Sequence, residues 1–95
     1  MPAYVIINVL VKDQKQYEEY MKRGAPTILQ YGGKPLVRGG ATEAWEGNPG
    51  QKRVIMLEFE SMEKARTWWN SPEYRAAKKF RETAAQADIF CVEGL

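Results

Sequence analysis

Three segments that read as strands carry apolar side chains on both alternating sets, and two helices can cover only one face of the sheet they would form. Along residues 4–11, Val5, Ile7 and Val9 alternate with Ile6 and Leu10. Along 53–59, Ile55, Leu57 and Phe59 alternate with Val54 and Met56, and along 88–93, Ile89 and Cys91 alternate with Phe90 and Val92. The β-branched content favours extended backbone. A monomer built from these strands would leave more apolar surface in water than soluble monomers usually tolerate, so a second copy is expected to cover the bare face. That contact would be isologous, with two sheets packed face to face across a two-fold axis.

The intervening segments set the order of elements. Asp13 and Gln16 form a capping-box-like pair, and Tyr17, Tyr20, Met21, Ala25 and Ile28 recur at helical spacing, which predicts a helix over about 13–31. Pro26 should kink or restart it, because proline removes a donor and clashes with the preceding turn. Gly32-Gly33 supplies a left-handed stop. Residues 34–46 read as a long, polar edge strand with a bulge or bend at Gly39-Gly40, and a turn at 47–50 completes a hairpin with 53–59.

Residues 59–74 hold a strand end, a capped helix, a break and a second helix start. Ser61 is an N-cap, Glu63 sits where the helix dipole favours an anion, and Ala65, Trp68 and Trp69 follow. Ser71 is a second N-cap and Pro72 falls at the first helical position. Tyr74, Ala77, Phe80 and Ala84 mark the inner stripe expected for the second part. The order is β-α-β-β-α-β, a single α+β domain over 1–95 with the ferredoxin-like split βαβ arrangement. Right-handed crossovers put both helices on one face of an antiparallel sheet whose first and third strands are central.

Composition narrows the chemistry more by exclusion than by indication. The 95 residues are 44% hydrophobic and 27% charged, with a formal charge of +2 spread among acidic neighbours. No nucleic-acid partner is expected from that balance. Nor is a membrane span or signal peptide, since Asn8 and the following Lys12 and Asp13 break the first apolar run. A single Cys91 rules out an internal disulfide and fits a cytoplasmic protein. Histidine is absent, so an acid or base near neutral pH must be a shifted carboxylate, lysine, tyrosine or the cysteine. No metal site and no cofactor are expected.

Asn8, Arg38 and Glu58 form the first candidate cluster. Asn8 and Glu58 interrupt central strands, where an unpartnered polar group costs about 1–3 kcal/mol, and Arg38 lies on the strand beside Glu58. One reading is a structural ion pair with Asn8 bonding across a dimer. The other has Arg38 holding a carboxylate or enolate while Glu58 acts as a catalytic base. Arg81 and Asp88 flank the turn into the last strand, either anchoring the connection at 84–87 or forming a cleft wall in which Arg81 binds an anion. Trp68 and Trp69, about 100° apart on a helix, cannot both face inward, which makes Trp69 and Tyr74, beside the break, substrate-binding candidates. Cys91 reads as an inert small hydrophobe.

Tyr31-Gly32-Gly33, Arg38-Gly39-Gly40, Glu58-Phe59, Trp69 with Ser71-Pro72-Glu73-Tyr74, Arg81, and Asp88 through Val92-Glu93-Gly94 together resemble the family called domain of unknown function 1330, of the dimeric α+β barrel superfamily. The resemblance implies a ferredoxin-like protomer, a homodimer that closes a barrel from two sheets, and a small cleft between helices and sheet. Relatives in the superfamily include cofactor-free monooxygenases, muconolactone isomerase, and haem-dependent dismutases and peroxidases. Without histidine the haem branch is set aside. Two functions follow: a binder of an aromatic or carboxylated metabolite, enzymatic in the cofactor-free monooxygenase or isomerase manner, or a non-enzymatic interaction dimer.

Overall fold

A computed structural model describes residues 1–50 and 52–95. Its elements run β1 (Ala3–Val11), α1 (Gln14–Gln30), β2 (Lys34–Arg38), β3 (Arg53–Phe59), α2 (Met62–Trp69), α3 (Pro72–Ala84) and β4 (Ala85–Glu93). The strands form a four-stranded antiparallel sheet in the order β2-β3-β1-β4, with β1 and β3 central. This is the ferredoxin-like α+β architecture, its second helix split in two.

The caps behave as their residue types dictate. Asp13 accepts from the Gln16 N–H, Ser61 from Lys64 and Ser71 from Tyr74, each supplying a partner to a free donor of a first helical turn. The capping box at Asp13 is only half formed, because the Gln16 amide reaches Thr83 Oγ1 at 2.6 Å instead. α1 ends in a Schellman arrangement: Gly32 takes φ +82°, its N–H donates to Leu29, and Gly33 N–H donates to Ile28 at 2.7 Å. Pro26 does not interrupt α1, which is continuous across it.

Three boundaries differ from the sequence expectation. β2 is five residues long, and 39–50 is exposed irregular chain. Gly39 turns away at φ +68°, and nothing in the following stretch has a neighbouring strand to pair with. The bulge lies at Leu36, between Pro35 and Val37, not at Gly39-Gly40. α3 runs to Ala84 and β4 begins at Ala85, pairing with Val11, so the expected 84–87 connection is helix end and strand.

The helices cover one face of the sheet. Val5, Ile7 and Val9 of β1 and Ile55, Leu57 and Phe59 of β3 are buried under them, together with Ala65, Trp68, Tyr74 and Ala77. The alternate set, Tyr4, Ile6, Asn8, Val54, Met56 and Glu58, is only half-buried, and Phe90 and Val92 are 52% and 45% exposed. The bare apolar face expected from the strand pattern is therefore present.

Candidate functional site

α1 leans on α3 more than on the sheet. Its buried stripe is Tyr17, Tyr20, Gly24 and Thr27, facing Tyr74, Ala77, Arg81 and Ala84 of α3. The two helices meet at small residues, Gly24 against Ala77, where an added Cβ on Gly24 would stand at an ordinary contact distance of 3.7 Å. The neighbouring stripe of Met21, Ala25 and Ile28 is left standing off β2 and β3. A cleft of about 360 Å³ opens there, walled also by Pro26, Leu29, Pro35, Arg38, Ile55 and Leu57. A smaller inner cavity of about 30 Å³ shares Met21, Ala25, Ile28, Ile55 and Leu57 with it and adds Tyr17, Tyr20, Trp68 and Arg81.

The inner end is polar. The Tyr20 and Tyr74 hydroxyls are hydrogen-bonded at 3.0 Å inside the core, and the Arg81 guanidinium lies 5.7 Å from the Tyr20 ring centroid. Arg81 is 7% exposed, and its Nε has no hydrogen-bond partner. Burial pushes the Tyr20 phenol well above its ordinary pKa, with Tyr74 adding to the shift, so the proton stays on. Burial alone would lower the Arg81 pKa; the facing Tyr74 and Tyr20 phenols outweigh it and the net shift is upward. The floor is held by Trp68, whose indole N–H donates to Thr27 Oγ1 at 3.0 Å while that hydroxyl donates to the Gly24 carbonyl at 2.6 Å.

The residues singled out in the sequence fall in several places. Arg38 sits at the exposed rim of the cleft, opposite Ile55. Glu58 is opposite Tyr4 and Lys34, on the bare face, so the expected Arg38–Glu58 ion pair does not form: three residues and the bulge at Leu36 separate them onto opposite sides of the sheet. Desolvation, then the neighbouring Glu58 carboxylate, raise the Tyr4 phenol pKa. Asn8 also belongs to the bare face, opposite Val54 and Asp88. Asp88 pairs with Lys52 at 2.9 Å rather than with Arg81, which points into the helical layer.

Tyr74 is fully buried, its ring 4.3 Å from that of Trp68, and it fills the interior instead of lining an opening. Trp69 is half-buried and borders a separate apolar pocket of about 180 Å³ between α2 and β4, with Arg66, Phe90 and Cys91. The unequal burial of the two tryptophans follows from their helical spacing. Burial raises the Cys91 thiol pKa, so it stays protonated there.

The sequence places Tyr20 on the helical stripe of α1 without marking it as a site residue, and the inner position expected for Phe80 belongs to Arg81. The signal was available: Tyr74, Ala77 and Ala84 leave position 81, four after 77 and three before 84, on the same face. Phe80 lies at the margin, with the Arg23 guanidinium 4.4 Å from its ring centroid.

The sequence model for the domain of unknown function 1330 matches residues 2–95. The chain belongs to that family. The domain of unknown function 1330 chain also shares its fold with several solved structures. A protein of unknown function from Rhodopseudomonas palustris is 20% identical, with a TM-score of 0.81 over 99% of this chain and 82% of the other. SnoaB, a cofactor-independent oxygenase from Streptomyces nogalater, is 10% identical, with a TM-score of 0.73 over 99% and 93%. A dimeric protein of unknown function and ferredoxin-like fold from Bacteroides fragilis is 14% identical, with a TM-score of 0.64 over 98% and 96%. These likenesses show the ferredoxin-like fold alone. No functionally curated protein matches. Among the described residues, no helix is long and apolar enough to cross a membrane.

Proposed function

We propose that this protein is a homodimer that binds a small aromatic or carboxylated metabolite in the cleft between α1 and the sheet. One observation carries the binding reading: the cleft adjoins an inner cavity that shares five wall residues with it, and the buried Arg81 and Tyr20 are among the residues that line that cavity. An apolar recess with a few convergent polar groups is the usual form of a small-molecule site. The homodimer is supported by the half-covered face of Tyr4, Ile6, Met56, Phe90 and Val92. There Asn8 and Glu58 supply the polar contacts between copies.

If the site is catalytic, its chemistry is of the cofactor-free oxygenase or isomerase type, a reading supported by the similar fold of SnoaB, a cofactor-independent oxygenase. Arg38 draws an anion to the rim, and Tyr20 with Arg81 receives it. The non-enzymatic interaction dimer keeps one argument in its favour, the filling of the helix break by Trp68 and Tyr74. Native mass spectrometry of the purified protein separates the readings. A dimer carrying a small organic adduct, lost in Leu57→Trp, supports the binder; a dimer that neither carries an adduct nor binds any member of a small-acid panel supports the interaction module.

A further inference from the structure

The orphaned Nε of Arg81 sets a chemical requirement on whatever fills the inner cavity. A cation removed from water costs several kcal/mol unless it is paired and hydrogen-bonded. Among the described residues the ion pairs are Arg23–Glu19, Lys52–Asp88 and Lys64–Glu60, so no carboxylate neutralises Arg81. The groups that face it are the Tyr74 and Tyr20 side chains, which carry no carboxylate charge. They can solvate the charge without cancelling it.

The donor count points the same way. Two hydroxyls joined by one hydrogen bond use one of their two protons. Either hydroxyl can donate in that bond; where Tyr74 donates, the proton left over belongs to Tyr20, which borders the cavity as Tyr74 does not. With the Arg81 Nε–H this arrangement leaves two unpaired donors on residues that line an apolar recess. An inner space of about 30 Å³ admits an oxygen or two but no ring.

We infer that the inner end of the cleft is an oxyanion subsite, in which Arg81 Nε–H and the Tyr20 hydroxyl receive a carboxylate or enolate oxygen of a small acid that enters head first. The inference rests on the cleft being the binding site. The apolar part of the ligand lies outward along Met21, Ile28 and Leu57, and Arg38 stays at the rim. The rim arginine is exposed to high dielectric, where a charge steers an anion but holds it weakly.

The test compares hexanoate and benzoate with their uncharged amides, by calorimetry and by the shift of the Trp68 indole proton on titration. In the native protein each acid should bind about 10–100-fold more tightly than its amide, as expected for hydrogen bonds to a charged group in a buried site. Arg81→Met, which keeps the apolar stem and removes the charge, should erase that preference while amide binding persists. Tyr20→Phe, the milder variant, should reduce it about 5–10-fold. Arg38→Met should change it by less than about 3-fold. Near-UV circular dichroism establishes that each variant is folded.

Equal binding of acid and amide by the native protein would overturn the inference and leave the cavity to water, with the cleft reading intact. Loss of the preference in Arg38→Met but not in Arg81→Met would overturn it by moving the head to the rim. If neither acids nor amides bind, the inference and the cleft reading fail together.

Discussion

The two faces of the sheet carry the same kind of strand and end in opposite states. Beneath the helices, Val5, Ile7, Val9, Ile55, Leu57 and Phe59 are buried, and of the polar groups there Tyr20, Tyr74, Thr27 and Trp68 are hydrogen-bonded while the Arg81 Nε is not. On the other face, Tyr4, Ile6, Met56, Phe90 and Val92 remain partly in water beside Asn8, Glu58 and Asp88. Alternation sends successive side chains to opposite sides but does not say which side gains a cover. The covered face holds a charge without a counterion, which calls for a ligand; the bare face holds apolar surface without a cover, which calls for another protein surface.

The largest effect should come from the covered face. Trp68→Ala removes a 1%-exposed side chain packed on Phe59 and Tyr74 and should cost about 3–5 kcal/mol in urea unfolding. A loss under 1 kcal/mol would mean the helical layer is looser than its burial indicates.

Next comes the bare face. Ile6→Asp, which puts a charge in the middle of the apolar patch, should raise the dimer dissociation constant by about 100-fold or more in sedimentation or light scattering, with near-UV dichroism preserved. A native protein that is already monomeric at micromolar concentration would break the comparison, since the bare face would then need some other cover.

A smaller effect is expected at the seam between α1 and α2. Thr27→Val deprives the Trp68 indole of its acceptor in the core and should cost about 1–3 kcal/mol, read from the shift in unfolding midpoint. If stability is unchanged, the indole has found another acceptor, visible in the exchange rate of its proton.

The smallest effect lies on the exposed rim. The Tyr31 hydroxyl donates to Glu73 at 2.7 Å, and that bond is the leading cause that holds the Glu73 pKa below 4.5. A carboxylate whose folded pKa is depressed adds stability above its unfolded pKa and loses it as pH falls through the folded value. Tyr31→Phe should therefore lower stability slightly at pH values above about 4.5 and leave it unchanged in stronger acid, where Glu73 is protonated folded and unfolded alike, so that the acid limb of the stability profile is flatter. An identical acid limb in the variant would show that other carboxylates govern it.

The fold was legible because its signals are local and repeated. Ser61, Ser71 and Pro72 place two helix starts within a few residues, and Gly32 admits the left-handed turn that ends α1. The site was less legible for two physical reasons. One inserted residue in a strand reverses the face of everything beyond it, and the bulge at Leu36 put Arg38 and Glu58 on opposite sides. On α3, the pattern favours Phe80 over the adjacent Arg81 as the inward residue, because burying a cation is costly unless the surrounding structure provides for it.

By itself the sequence determined the order and type of the elements, the sheet with two apolar faces, the helix break and the absence of imidazole chemistry, since each depends on spacing or composition within a short stretch. Tertiary structure alone decided that α1 leans on α3 through Gly24 and Ala77 and so stands off the sheet, that Arg81 turns inward beneath Tyr20, and that Glu58 and Asp88 face away from the cleft. Those outcomes depend on how separate elements approach one another, and no local pattern encodes the distance between two helices or the face on which a bulged strand resumes.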